Sequence, residues 1–226
     1  MQKNQIYILL ILMIFTSCDL KTAEQYYTLA YDFEEQGKYK EAIKMLDKAI
    51  EKKPDLKPVL LNRGADKSLL EDYKGAIEDY QKILKYDPDN TIALMNIGNN
   101  YKRLDKNRKA IEFYSKALKT KGAIKSDSIY LELNIFNEGE KDSDYYVRKN
   151  EIKYERGISF AKNGQYKLAI KDFEQVVKYD YERGSALVWL GESYLNLYDT
   201  VKAKKNLVEA AKLEIIDAKE LLNKIN

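Results

Sequence analysis

Small and apolar residues recur along the chain at a helical spacing, and that spacing is itself repeated at a longer interval. In the segment 72–88, Ala76 and Tyr80 are four residues apart, which places them on one face of a helix. Equivalent segments surround Ala42, 34 residues upstream, and Ala110, 34 residues downstream. A constant interval of this length predicts an array of similar helical units, in which each unit buries its apolar face against its neighbours.

Glycine and proline indicate where helices end in several of the units. Gly37 and Gly164 follow an apolar helical stretch, at a place where a residue in the left-handed conformation commonly ends a helix. Pro54 and Pro88 follow the next helical stretch, and proline cannot continue a helix. The pattern therefore predicts an all-α chain built from pairs of antiparallel helices that are joined by short turns.

The repeated pattern resembles the tetratricopeptide repeat, in which W-x₂-L-G-x₂-Y is followed by A-x₃-F and then by P over 34 residues. Small residues stand on both helices of each unit, where the two helices cross. Those on the first helix are Ala30, Gly64, Gly98, Gly157 and Gly191, and those on the second helix are Ala42, Ala76, Ala110, Ala169 and Ala203. The second unit departs from the family at Arg63 and Lys67, where Leu and Tyr are usual.

The resemblance implies a right-handed α-solenoid of about five helix pairs with a C-terminal capping helix. The first three repeats occupy 23–124 and the last two occupy 150–217, with the capping helix at 218–226. The individual repeats are 23–56, 57–90, 91–124, 150–183 and 184–217. In this family the first helix of each pair lines the inner surface of the superhelix, so the resemblance also implies a groove for a protein or peptide partner.

Two groups of side chains are candidates for contact with a ligand in that groove, because the helix geometry of the family directs them inwards. Amides and cations there could bind an extended peptide backbone or a carboxylate, although a solvated helix face is the alternative interpretation. The aromatic candidates are Tyr27, Tyr31 and Tyr154, and the amide and cationic candidates are Asn62, Asn96, Asn99, Lys102 and Arg103. Chaperone-binding members of the family use a two-repeat clamp of Lys and Asn, and that full set is not found in this sequence.

The first residues predict export and lipid attachment. Lys3 precedes an uninterrupted apolar run at 6–15, which is about half the length that a membrane-spanning helix needs and is typical of a signal peptide. Thr16-Ser17-Cys18 then resembles the lipobox of bacterial lipoproteins, in which a cysteine is lipidated and becomes the mature N-terminus. The resemblance implies a removed signal peptide at 1–17 and a lipidated tether at 18–22; the alternative is an ordinary signal peptide. A lipid on Cys18 implies attachment to a membrane of the bacterial cell envelope, with the outer membrane favoured over the inner one.

An insertion at 125–149 interrupts the repeats. It contains an apolar piece at 128–136, which is expected to form an added helix, although its alternating apolar residues also suit a strand. An acidic run follows at 138–144, and residues 145–150 are expected to extend the first helix of the fourth repeat backwards. The insertion is either a partner-specific feature or a surface elaboration without a role.

The composition excludes several functions. The 226 residues are 33% charged with a net charge of +3, and lysines alternate with acidic residues, so no nucleic-acid partner is expected. The sequence has no histidine and a single cysteine, which removes the commonest general base and any zinc site built from cysteines. No nucleophile motif and no glycine-rich phosphate loop is present, so we expect neither an enzyme nor a metal or other cofactor.

Two functions agree with these observations. The first is a membrane-anchored adaptor of the cell envelope, in which the helical array presents its groove to a protein partner of an assembly or secretion machinery. The second is an envelope protein that binds a peptide or glycan through the tyrosines and asparagines of the concave surface. The two differ in the ligand that should accompany the protein when it is isolated from membranes.

Overall fold

A computed structural model describes residues 20–124 and 146–225. The predicted signal peptide, Cys18 and the apolar and acidic pieces of the insertion at 128–144 lie outside the described residues. The described chain is almost entirely helical, and the predicted all-α architecture is confirmed. None of the helices within 20–124 and 146–225 has the length and apolar content needed to cross a bilayer.

Within the described residues the helices form five antiparallel pairs followed by a terminal helix, which is the predicted α-solenoid. We refer to the first helix of each pair as helix A and to the second as helix B. The pairs are α1 (Ala23–Glu35) with α2 (Tyr39–Lys52), α3 (Lys57–Leu69) with α4 (Tyr73–Tyr86), α5 (Thr91–Arg103) with α6 (Asn107–Ala117), α7 (Lys149–Lys162) with α8 (Tyr166–Lys178), and α9 (Arg183–Asn196) with α10 (Thr200–Lys212). The terminal helix α11 (Ile216–Ile225) packs on α10 and includes the last two residues that the repeat frame assigns to the fifth repeat.

In four of the five described pairs, the two helices approach each other closely because the residue of helix A at the crossing point is a glycine, which has no side chain. A Cβ atom on Gly64 would lie 2.7 Å from the ring of Tyr80, and one on Gly98 would lie 2.7 Å from the ring of Tyr114. Both distances are shorter than any ordinary carbon contact, so a larger residue would push the helices apart. The predicted role of the small residues at this position is therefore confirmed.

The apolar core is continuous through the stack. Within the described residues it forms adjoining clusters that share side chains across repeat boundaries, such as Ile50 between the first two repeats and Leu84 between the next two. The small residues Ala42, Ala76 and Ala110 on the B helices are fully buried. Each helix pair thus depends on its neighbours for burial of its apolar face, as expected for a repeat array.

A short parallel strand pair joins the two parts of the array at the insertion. β1 (Ala123–Ile124) pairs with β2 (Val147–Arg148), so that Ala123 lies opposite Val147. The predicted backward extension of α7 over 145–150 is wrong, because Arg148 is extended, with φ −66° and ψ 129°, and the helix begins at Lys149. Pairing with β1 satisfies backbone groups that a longer helix would have bonded internally.

Side-chain contacts place the A helices on the inner side of the solenoid. Hydrogen bonds or ion pairs join successive A helices at Asn62 to Glu34, Ser68 to Asn100 and Lys102 to Glu155. Successive A helices also contact each other along the backbone from α5 onwards, whereas no two successive B helices do so to the same extent in the described chain. The array therefore curves with its A helices on the concave side. The side chains that these helices expose on that side form the groove.

The turn inside every helix pair contains one residue in the left-handed conformation. Gly37 and Gly164 have φ values of +69° and +73° there, as predicted from the sequence. The other three repeats place a non-glycine residue at the same position, with φ between +55° and +64°, and these residues are Glu71, Asp105 and Tyr198. A side chain in this conformation costs roughly 1 kcal/mol because its Cβ crowds the carbonyl group.

We expect Tyr198→Gly to raise the free energy of unfolding by about 0.5–1 kcal/mol, because it removes that strain at a small entropic cost. The Tyr198 side chain is 93% exposed, so little packing is lost. Chemical denaturation at neutral pH measures the change.

The matched control is Gly37→Ala, whose Cβ would meet no atom within 4 Å and therefore tests the backbone alone. It should lower the free energy of unfolding by about 1 kcal/mol. A Tyr198→Gly variant that is no more stable than the parent would contradict the strain at this turn.

Candidate ligand-binding groove

The groove is lined by the five A helices, and its first two repeats bring together three of the predicted contact residues. Tyr27 and Tyr31 lie one turn apart on α1, and Asn62 on α3 lies beside Tyr27. The Asn62 amide donates to both carboxylate oxygens of Glu34, with N–O distances of 3.4 and 3.3 Å. Burial raises the pKa of Tyr27, and the neighbouring charge of Glu34 raises it further. The Tyr31 side chain is more accessible, since this residue is 53% exposed.

The predicted amide and cationic residues of the third repeat are largely engaged with the protein itself. Asn99 accepts a hydrogen bond of 2.7 Å from the Tyr114 hydroxyl, and Lys102 forms an ion pair with Glu155 of the next repeat. Asn96 is half-buried and Arg103 is exposed. Of this group, Arg103 is therefore the best placed for an added partner, while Asn99 and Lys102 hold the wall of the groove.

Tyr154 lies in an aromatic cluster rather than standing free in the groove. Its ring packs edge-on against Phe173 and against Tyr181, with centroids 6.1 Å apart in both cases. Trp189 stacks on the same Phe173 ring at 6.1 Å. Burial raises the pKa of Tyr154, and a hydrogen bond with Ser185 partly offsets the shift.

The fourth and fifth repeats also enclose a small pocket on the groove side. Its volume is about 130 Å³, and its lining includes Lys162, Trp189, Glu192, Ser193 and Asn196. The Ser193 hydroxyl is buried there and has no hydrogen-bond partner among the described residues. A pocket with an aromatic wall and several polar groups can receive one side chain or one small polar group.

The two departures from the family pattern form a buried ion-pair network that the sequence prediction missed. Arg63 donates through Nε to Oδ2 of Asp79 at 2.8 Å, and Lys67 donates to the same oxygen at 2.8 Å. Arg63 also reaches Asp47 on the preceding helix B at 2.6 Å. Burial alone would raise the pKa of Asp79, but the bonds from Arg63 and Lys67 hold it below its ordinary value.

The same network recurs two repeats later. Arg156 donates to Asp172 at 2.7 and 2.8 Å and reaches Ser115 on the preceding helix B at 3.1 Å. Arg156 and Asp172 occupy the repeat positions of Arg63 and Asp79. An arginine followed by an aspartate sixteen residues later, twice in one repeat frame, is a signal in the sequence that could have revealed these pairs.

A second missed feature is an unpaired carboxyl group beside the groove. Asp66 is 3% exposed, and its Oδ2 atom accepts no hydrogen bond from any described residue. Burial raises the pKa of Asp66 to about 7, and the nearby Glu34 contributes to the shift. Burial likewise raises the pKa of Glu34. The sequence gives no indication that Asp66 is buried, because Asp66 lies among other charged residues on a helix.

The described residues offer no site for a metal ion. Within 20–124 and 146–225, no three carboxylate or thiol groups come together in a way that could hold one.

Comparison with known proteins identifies the repeats. Sequence profiles of the tetratricopeptide repeat match residues 23–56, 67–90, 92–123 and 154–214. The search of curated proteins found no match.

Solved structures share the fold at low sequence identity. MamA superposes with a TM-score of 0.69 at 18% identity, covering 87% of this chain and 94% of MamA. MamA from Desulfovibrio magneticus RS-1 gives 0.68 at 17% identity, covering 85% of this chain and 94% of that one. YrrB, described as a TPR protein with an unusual peptide-binding site, gives 0.67 at 19% identity and covers 88% of this chain and 91% of its own. At these identities the likeness concerns the fold alone.

We expect Asp66→Asn to stabilise the protein increasingly as the pH rises. Folded Asp66 keeps its proton up to about pH 7, whereas the unfolded chain ionises it near its ordinary value of 3.8, so the wild type loses stability between these pH values. The advantage of the variant should therefore grow by about 1–3 kcal/mol between pH 5 and pH 8. Denaturant unfolding of both proteins at the two pH values measures it.

Asp32→Asn is the matched control, because Asp32 occupies the same repeat position in the first repeat but is exposed. It should leave the pH dependence unchanged. An Asp66→Asn variant with the pH dependence of the wild type would show that the carboxyl group is solvated in the folded protein.

Proposed function

The chain belongs to the tetratricopeptide repeat family, and from that premise we propose that it is a lipid-anchored adaptor of the bacterial cell envelope. Its groove binds an extended segment of a protein partner that takes part in assembly or secretion. Repeats of this family are interaction modules, and we propose no catalytic activity for this member.

The observation that supports binding most directly is that some groove side chains bond to the protein itself while others remain exposed. Bonds from Asn62 to Glu34 and from Lys102 to Glu155 fix successive A helices to each other. Other groove residues remain available, such as the half-exposed Tyr31 and the exposed Arg103. A wall that is already ordered loses little conformational entropy when a ligand binds.

The sequence at the N-terminus supports the proposed anchoring. A diacylglycerol on Cys18 together with an amide-linked acyl chain would add about 0.8 kcal/mol of membrane affinity for each buried CH₂, so several chains make attachment nearly permanent. The tether 18–22 then leads directly into α1, which begins at Ala23. We propose the outer membrane as the site, with the inner membrane as the alternative.

A second candidate function is the binding of an envelope peptide or glycan in place of a protein partner. The pocket beside Trp189 favours it, because an indole wall with amide and hydroxyl groups suits a sugar ring or a short polar side chain. YrrB, which shares the fold, is described as having an unusual peptide-binding site.

A photo-crosslinking amino acid at Tyr31 should capture a partner protein in intact membranes, because this side chain projects from helix A into the groove. Denaturing electrophoresis of the purified, irradiated protein then shows a heavier adduct, which mass spectrometry identifies. Arg103 provides a second groove position.

Tyr86 at the end of α4 is the matched control, since it is also a tyrosine and is 66% exposed, but lies on a helix B. Equal adducts from Tyr31 and Tyr86, or none from either groove position, would contradict the adaptor. A bound oligosaccharide or peptide without a protein adduct would favour the second candidate.

Replacement of Cys18 by Ala should abolish incorporation of labelled palmitate and release the protein from the membrane fraction, or leave it uncleaved. The thiol is the acceptor of the lipid, and alanine offers no nucleophile. Membrane retention of the variant, together with an absence of palmitate in the wild type, would exclude the lipoprotein.

A further inference from the structure

We propose that the crevice between α1 and α3 binds a cationic side chain, arginine or lysine, of the partner segment. The crevice is formed by Tyr27, Tyr31 and Glu34 on α1 and by Asn62 and Asp66 on α3. This inference rests on the proposed function and specifies one chemical feature of the ligand that the groove accepts.

The crevice is a consequence of helical spacing on two neighbouring A helices. Tyr27, Tyr31 and Glu34 follow one another at four and three residues, so they form one stripe along α1. Asn62 and Asp66 are four residues apart and form a second stripe on α3. The bonds from the Asn62 amide to Glu34, at 3.3 and 3.4 Å, join the two stripes.

No cation in the described protein neutralises Asp66. The two basic residues nearest to it on α3, Arg63 and Lys67, are both bonded to Asp79. Its Oδ2 atom accepts no hydrogen bond in the described residues. A buried carboxyl group without a partner is costly, so its presence in a native protein calls for an explanation.

At the next repeat boundary, the side chains at the corresponding positions form a hydrogen bond with each other. There Ser68 and Asn100 take the places of Glu34 and Asp66, and the Ser68 hydroxyl donates to Asn100 at 2.8 Å. At the boundary after the insertion the same places hold Lys102 and Ser159. Among the described repeat boundaries, the first is therefore the one that sets two carboxyl groups against each other.

The remaining walls also suit a cation. The aromatic rings of Tyr27 and Tyr31 lie near Glu34, and a ring face attracts a guanidinium or ammonium group. A hydrogen bond with Glu35 and the charges of Glu35 and Glu34 raise the pKa of Tyr31, because negative charge lies beside this ring at the mouth of the crevice. An arginine or lysine that enters would pair with Glu34 and Asp66 and supply the missing donors.

A titration with a small probe tests the crevice without requiring the natural partner. ¹⁵N-labelled full-length protein is titrated at pH 8 with N-acetyl-arginine methylamide, and the side-chain amide of Asn62 is followed by NMR. Asp66 is ionised at this pH. We expect a saturable shift of the Asn62 amide with the arginine probe and a response at least about tenfold weaker with the isosteric neutral citrulline probe.

Asp66→Asn should weaken binding of the arginine probe about tenfold, whereas the control Asp32→Asn should change it less than about twofold. Backbone spectra report whether each variant keeps the fold. Equal affinities for the arginine and citrulline probes, absence of a saturable shift, or undiminished affinity in Asp66→Asn would overturn the proposal. Failure of the proposed function would be seen separately, as an absence of groove adducts in the Tyr31 crosslinking experiment.

Discussion

Four of the five described repeats depend on one close contact, in which a glycine on helix A receives a ring or a branched side chain from helix B. The contact brings the two helix axes close enough for the apolar faces to be sealed. It recurs between Gly64 and Tyr80, Gly98 and Tyr114, Gly157 and Phe173, and Gly191 and Leu207. Because every pair has nearly the same geometry, the pairs stack regularly, and the curvature of the groove follows from that regularity.

The architecture could be predicted from sequence because the contact requires residue types that recur at a fixed interval. Gly37 and Gly164 also indicated turns, because the left-handed conformation that these turns require favours glycine. The strand pair at the insertion could not be predicted, because β1 and β2 are two residues long and are separated by a segment that breaks the repeat frame.

The groove was harder to predict than the fold because it depends on which polar side chains bind each other. Asn99 and Lys102 are on the inner helices, as the sequence indicated, but Tyr114 and Glu155 engage them. The burial of Asp66 and its lack of a partner could not be predicted from the sequence. A solvated aspartate and an isolated buried aspartate have the same sequence signature. Its expected cost to stability and its proposed affinity for a cation have one origin, which is the absence of a donor in the folded protein.

The strand pair β1–β2 has a consequence for how the array tolerates change. It holds the two ends of the interrupting segment side by side, at the spacing of about 4.8 Å between paired strands. The stack from α6 to α7 therefore continues whatever the length of chain between the strands, and the entropy of closing a longer loop grows only slowly with length. The position is thus a natural point of domain insertion, where evolution or an engineer can add a module without altering the solenoid on either side.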